Sequence, residues 1–366
     1  MKVKYSYLQD QFSDYEPILR MISQVVESSD FTLGNALGTF EERFANVIGS
    51  KYAVGVNSGT DALFLSLKAA DVKPGEEVIT APNTFIATVG AIIAAGAKPV
   101  FVDICDDYTI DVKLLEAAIT PRTRAIIPVH YAGHPADMAA IMTIAERHNL
   151  VVVEDACQAI SAGIGGKCVG SFGLTGAFSL HPLKNLNVWG DGGIIVTDHE
   201  KTYRKLLLLR NHGLKNRDEV EIFGYNSRLD TIQACVGNFL INQLENIADK
   251  RIKWAQELDK GLSDLNPEVF IPKRLPDRKY VYHLYMLQVD RRDELLSFLM
   301  ANDIEAKVHY PIPLHLQRAF EVFGYKKGDF PITEKLCERI ITLPVHQHLE
   351  KPHIDYMIAK IREFYA

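Results

Sequence analysis

Between Lys51 and Val153, short apolar runs alternate with amphipathic stretches, and this alternation narrows the possible folds more than any other feature of the chain. Tyr52–Val56, Glu77–Thr80, Pro99–Val102, Ala125–Val129 and Leu150–Val153 read as strands. Asp61–Ala70, Ala87–Ala95, Val112–Ile119 and Asp137–His148 carry helical periodicity between them. The strands are continuous Val/Ile runs, not apolar/polar alternations, so both of their faces are expected to be buried. With helices between them, the expectation is a mostly parallel sheet in a three-layer α/β domain. Beyond Val153 the alternation stops, and Gly176–Leu180 and Gly193–Thr197 read as two further strands joined by a prominent loop.

A Lys/Leu-rich helix over Glu200–Arg210 and a polar loop over Asn211–Asn226 follow. A long helical region, Asp230–Trp254, is expected to bridge two domains. Strands at Tyr282–Val289 and Ala306–Tyr310 and helices at Asp293–Ala301, Ile332–Ile340 and Pro352–Phe364 then suggest a smaller α+β unit. The chain of 366 residues is expected to divide into an N-terminal arm (1–30), a large α/β domain (31–245) and a small C-terminal α+β domain (246–366). With 47% hydrophobic and 23% charged residues, it has the composition of a folded globular protein. Its formal charge of −6 has the wrong sign for a chain that works on nucleic acid. No apolar run approaches the ~20 residues of a membrane span. Met1–Ser6 has no apolar signal region, and five cysteines without a CxxC pair fit reduced thiols, so a cytoplasmic location is expected.

Some segments imitate functional motifs. Gly163-Ile164-Gly165-Gly166-Lys167 matches neither phosphate-loop nor dinucleotide spacing and reads as a glycine turn. His346 and His348 lack a carboxylate or thiolate partner for a metal and read as a plain loop. There is no Gly-x-Ser-x-Gly elbow.

Three other segments carry candidate chemistry. In Asn57-Ser58-Gly59-Thr60-Asp61, a small-residue turn lies between the first strand and its helix, so Gly59 and Thr60 offer free N–H groups to an anion. The bland alternative is a capped helix start, with Thr60 or Asp61 as the cap. In Val153-Glu154-Asp155-Ala156-Cys157-Gln158, two carboxylates stand at a strand end. One reads as solvated or salt-bridged; the other could hold a buried cation. In Ser179-Leu180-His181-Pro182-Leu183-Lys184, a lysine sits in an otherwise apolar turn between core strands. A snorkelling surface lysine is the ordinary reading, but a desolvated one has a lowered pKa and attacks carbonyls. An anion cradle, a strand-end carboxylate and a Schiff-base lysine together suit pyridoxal phosphate. Phe85, at another strand end, could stack on its ring, although core packing alone would explain it.

Six ordered motifs make the chain resemble the sugar aminotransferases of the DegT/DnrJ/EryC1/StrS type, which have the fold type I architecture. They are Ser58–Leu63, Glu154–Gln158, Ser179–Leu186, Gly190–Gly193, Tyr225–Asp230 and Val308–Pro313. The resemblance implies that Lys184 closes covalently on the cofactor aldehyde, that Asp155 meets the pyridinium nitrogen and that Gln158 neighbours the ring hydroxyl. It implies that Ser179, Gly59 and Thr60 bind the phosphate and that Phe85 stacks on the ring. Asn226 would be a phosphate ligand given by the neighbouring subunit of a homodimer, and His309, Tyr310 and Arg228 would lie near the sugar. Two departures, Leu180 where an aromatic residue is common and Leu183 where a small residue or Thr is common, bear on pocket shape. The implied reaction moves an amino group from L-glutamate to a keto-sugar, usually nucleotide-linked, and the loop from His309 to Pro313 is most like that of members acting at C3. Dehydratases of the same fold carry His where Lys184 stands, and a non-catalytic regulator would not need Lys184, Asp155 and Gln158 together.

Overall fold

Successive residues of the sheet strands face opposite cores, which explains why the strands are apolar without alternation. Val153, Ala177 and Ile195 join one core with Leu63, Ala91, Ile92 and Leu206. Their neighbours Phe178, Ile194 and Val196 pack on the other side with Leu37, Phe40, Phe44 and Ala234. Val152 does so with Met138 and Ile141. The computed structural model describes residues 1–366 and is, as expected, a three-layer α/β arrangement.

The central sheet has seven strands in the order Tyr52–Val56, Gly193–Thr197, Thr175–Ser179, Val151–Asp155, Thr123–Ile126, Glu77–Thr80, Lys98–Phe101. Only Gly193–Thr197 pairs antiparallel, with a neighbour on each side; every other pairing is parallel. The C-terminal ends of Tyr52–Val56, Glu77–Thr80, Val151–Asp155 and Thr175–Ser179 therefore share one edge. Open α/β sheets bind ligands at that edge.

A second, three-stranded antiparallel sheet joins Val269–Phe270, Tyr285–Val289 and Ile340–Leu343. The helix Leu244–Leu262 serves both bodies: Leu244 and Ala248 belong to the core of the large sheet, and Trp254, Leu258 and Leu262 to that of the small one. The N-terminal arm also divides, with Val3 in the small core and Ile18 in the large one.

Four local expectations need correcting. The helical region expected over 230–254 is Thr231–Leu240, a 3₁₀ turn at Ile241–Gln243, and then Leu244–Leu262. The helix expected over 112–119 tightens into a 3₁₀ turn at Glu116–Ala118. Ala306–Tyr310 is no strand: Lys307 alone pairs, with Thr342, before the Tyr131 hydroxyl, donating at 2.5 Å, takes the His309 carbonyl. The strand expected from Tyr282 starts at Tyr285, because Tyr282 has a positive φ of 45° that no extended ladder accommodates.

Candidate active site

At the shared strand edge lies a cavity of about 360 Å³, lined among others by Gly59, Thr60, Phe85, Asp155, Gln158, Ser179, Lys184, His309 and Tyr310. Nine of the eleven residues singled out from sequence thus converge. Asn226 and Arg228 do not line it. Asn226 is exposed and pairs with Asn211, and Arg228 donates to the Asn211 Oδ1 at 3.0 Å.

The anion cradle is built by a cap and a close approach. The helix Gly59–Ala69 is capped by Ser58, whose Oγ accepts from the Asp61 N–H at 3.1 Å, so neither Thr60 nor Asp61 is the cap. The N–H groups of Gly59 and Thr60 are left without intrahelical acceptors and line the cavity. Gly59 lies against the end of Thr175–Ser179 so tightly that a Cβ would sit 2.6 Å from the Ser179 Cβ. This brings Ser179 beside the helix N-terminus, where the dipole and free donors favour an anion.

Asp155 is 5% exposed and forms no ion pair. Its Oδ2 accepts from Thr88 Oγ1 at 2.7 Å, and its Oδ1 from the Cys157 N–H at 3.1 Å. Thr84 Oγ1, 2.7 Å from Thr88 Oγ1, completes a short hydroxyl chain. A buried carboxylate held only by neutral donors, at the wall of a cavity, suits a cationic ring nitrogen on the far side. Its neighbour Glu154 is not solvated. It is fully buried, accepts from the N–H groups of Gly170, Phe172 and Gly173, and pairs with His130 at 3.0 Å. His130 Nδ1 accepts from the Ala136 N–H, so the His130 proton lies on Nε2, toward Glu154.

Gln158 accepts from the Ala132 N–H through Oε1 at 2.7 Å, which leaves its NH₂ free at the cavity. Phe85 is 50% exposed, its ring 5.9 Å from that of Tyr310; it forms cavity wall and not core.

Lys184 is fixed through its backbone. Asn187 Nδ2 donates to its carbonyl at 2.9 Å and the Tyr7 hydroxyl at 3.3 Å. Burial pushes the Lys184 amine below its ordinary pKa, against the raising fields of Cys157 and Asp155. The Nζ lies 3.4 Å from His283 Nε2. His309 is held by Thr342 Oγ1 at 2.9 Å from Nδ1, and burial, with Lys184 and Lys307 adding to it, lowers its pKa to about 4. It is neutral at ordinary pH and stacks at 5.9 Å on Tyr5 of the arm.

Sequence reasoning missed Thr88, Tyr5 and His283 at this site. Thr84 and Thr88, four apart at a helix start, carried a faint signal. Tyr5 and His283 carried none, because the N-terminal residues and the segment ahead of Tyr285–Val289 bring them in.

Over residues 13–362 the chain matches the profile of the DegT/DnrJ/EryC1/StrS aminotransferase family. The chain belongs to that family. A pleiotropic regulatory protein of Geobacillus stearothermophilus is 42% identical over 371 residues, covering 100% of this chain and 99% of that protein. A dTDP-3-amino-3,4,6-trideoxy-α-D-glucose transaminase of Streptomyces venezuelae is 42% identical over 94% of this chain and 90% of its own length. The crystal structure of S. venezuelae DesV superimposes with a TM-score of 0.96 at 40% identity, covering 99% of this chain and 98% of that one. Aminotransferases of this family work with pyridoxal 5′-phosphate. The residues present fit that group, since the cavity joins a desolvated lysine amine, free N–H donors at a helix start and a buried carboxylate without a cation.

Proposed function

We propose that this aminotransferase moves an amino group from L-glutamate to C3 of a nucleotide-linked keto-hexose, in the biosynthesis of an amino sugar. The observation that carries this reading is the placement of the desolvated Lys184 amine in one cavity with the unpaired, buried Asp155. The C3 position is favoured by the S. venezuelae relative, named for the transamination of a 3-amino sugar.

Bound there, pyridoxal phosphate supplies an electron sink for the carbanion formed at the donor's α-carbon. Lys184 Nζ, desolvated and at the cavity, would hold the cofactor covalently through its aldehyde. A free Nζ would be the general base that takes the α-proton of glutamate and the general acid that returns a proton on the keto-sugar side. Asp155 keeps the ring nitrogen protonated, and Thr88 and the Cys157 N–H hold the carboxylate in place for that task. Gln158 offers its free NH₂ to the ring hydroxyl, and Phe85 covers the ring. Gly59, Thr60 and Ser179 take the phosphate. His309 and Tyr310 form the sugar wall.

Asn226 and Arg228, outside this cavity in their own chain, are assigned to the partner's cavity in a homodimer. Phe223 and Val220, 99% and 62% exposed on the same loop, give that loop an apolar surface to bury against a second copy. Residues 31–245 serve as the cofactor-binding domain and 246–366 as the smaller domain that closes the sugar side. The five unpaired thiols suit the cytoplasm, and no helix is long and apolar enough to cross a membrane.

The purified protein should be yellow, and L-glutamate should bleach its visible band with release of 2-oxoglutarate. Borohydride should fix the cofactor on Lys184, and Lys184→Ala should bind it reversibly and fail to turn over keto-sugar. A protein that binds cofactor yet ignores every amino donor would support the regulatory role named for the G. stearothermophilus relative instead.

A further inference from the structure

His283 is the one side chain within hydrogen-bond distance of the Lys184 amine, with Nε2 3.4 Å from Nζ. It reaches the cavity from the segment ahead of Tyr285–Val289, so the contact joins the lysine's loop to the second domain. That segment is held in an unusual shape. Tyr282 has a φ of 45°, an outlier for a bulky aromatic residue, and its carbonyl accepts at 3.0 Å from Nη1 of Arg251. Nη1 also donates to the Val345 carbonyl at 2.9 Å, and Asn185, beside Lys184, donates through Nδ2 to the Val281 carbonyl at 2.9 Å. Both sides of the His283–Lys184 contact are thus fixed.

The far nitrogen of the ring settles what the near one does. His283 Nδ1 is shut off from solvent and has no partner, and Arg251, 1% exposed, leaves Nε and Nη2 unpaired. His283 and Arg251 line the same small void. A guanidinium only donates and is always charged, so the field on that side favours a bare lone pair on Nδ1 and places the ring proton on Nε2. We propose that His283, as the neutral Nε2–H tautomer, donates a hydrogen bond to the neutral amine of Lys184 and so stabilises the form that attacks and takes up protons. This rests on the reading of Lys184 given above.

A merely space-filling His283 makes the opposite prediction. Replacing it with leucine keeps the site dry, so loss of packing alone leaves the amine pKa unchanged or lowers it; loss of a donor to the neutral amine raises it. The other titratable groups around Nζ stay in place. Asp155 and Cys157 face it from the strand end, and His309 and Tyr310 from the sugar side. Tyr5 of the arm and His181 and Asp191 of its own loop complete the set.

In the cofactor-free chain, trace acetylation of Lys184, read by mass spectrometry across pH, should show a midpoint higher by about one pH unit in His283→Leu than in wild type. In the holoenzyme the same variant should lose kcat by about tenfold with the KM for glutamate unchanged. A midpoint that stays or falls overturns the proposal. A test of wild type itself uses ¹⁵N-histidine-labelled protein at pH 9, with the His283 signals identified by their loss in His283→Gln. A protonated Nε2 supports the proposal and a protonated Nδ1 overturns it. Borohydride fixation of the cofactor on Lys184 is expected with or without His283, and its failure in wild type would count against the function proposed for Lys184, not against the tautomer.

Discussion

Thr88 shows how a buried charge is kept usable. Its hydroxyl occupies Asp155 Oδ2 while the Cys157 N–H occupies Oδ1, so the carboxylate is oriented without being neutralised by a protein cation. Asp155→Asn can still accept from Thr88, and the fold is expected to survive. Its lost charge should lower kcat by about 100-fold or more, as removal of a preorganised electrostatic partner does; steady-state kinetics on the cofactor-saturated protein measure this. Thr88→Val leaves one carboxylate oxygen unbound, at a cost of about 1–3 kcal/mol. It should weaken cofactor retention in dialysis while leaving Lys184 able to form its reducible link. A Thr88→Val protein with wild-type retention would mean that the hydroxyl chain is incidental to the carboxylate.

At the scale of the elements, the site depends on how closely one helix start approaches one strand end. Gly59 is required there by proximity and not by backbone conformation, since any Cβ meets the Ser179 Cβ. Gly59→Ala must push the helix from the strand, and overpacking of this kind costs about 1–3 kcal/mol. A cofactor titration should show at least about tenfold weaker binding, because the displaced N–H groups are those proposed to take the phosphate. Ser58→Ala, which removes the cap alone, should lower stability by about 1 kcal/mol in chemical denaturation with a smaller effect on cofactor affinity. Equal effects of the two changes would argue that the cradle is simply a helix end.

For the whole molecule, the proposed shared-site dimer makes a sharp prediction. Lys184→Ala and Asn226→Ala homodimers should both be impaired. Subunits exchanged between them should regain up to about a quarter of wild-type activity, because half the dimers then hold one site with both residues intact. No recovery would place both residues in the same subunit's site, or Asn226 in none. Acid should weaken the folded chain early. Burial holds His309 near a pKa of about 4 and His346 at about 3. In the unfolded chain these imidazoles return to about 6.5. Between about 6.5 and 4 the unfolded state therefore binds more protons, and stability falls as pH drops through that window. The melting temperature at pH 5 should lie several degrees below that at pH 7.5; equal values would contradict the neutral, buried state of these rings.

The sequence by itself determined the three-layer body and most of the cofactor end of the cavity. Both follow from local patterns: apolar runs long enough to be strands, and motifs such as Ser58-Gly59-Thr60 and Glu154-Asp155 that sit at strand ends by necessity, since the parallel topology sends those ends to one edge. Tertiary structure alone decided the rest. Tyr5 and His283 reach the cavity from the N-terminal residues and from the segment ahead of Tyr285–Val289, across separations along the chain that no periodicity records. Glu154, read as solvated or salt-bridged, is out of solvent and paired with His130, because the turn at Gly170–Gly173 folds back over it and satisfies it with N–H groups. The Ala306–Tyr310 segment, apolar enough to be a strand, pairs only at Lys307, and its His309 carbonyl goes to the Tyr131 hydroxyl. Local pattern fixes which backbone can pair, whereas which side chains meet depends on long-range packing, and the side of this cavity proposed for the sugar is made of such meetings.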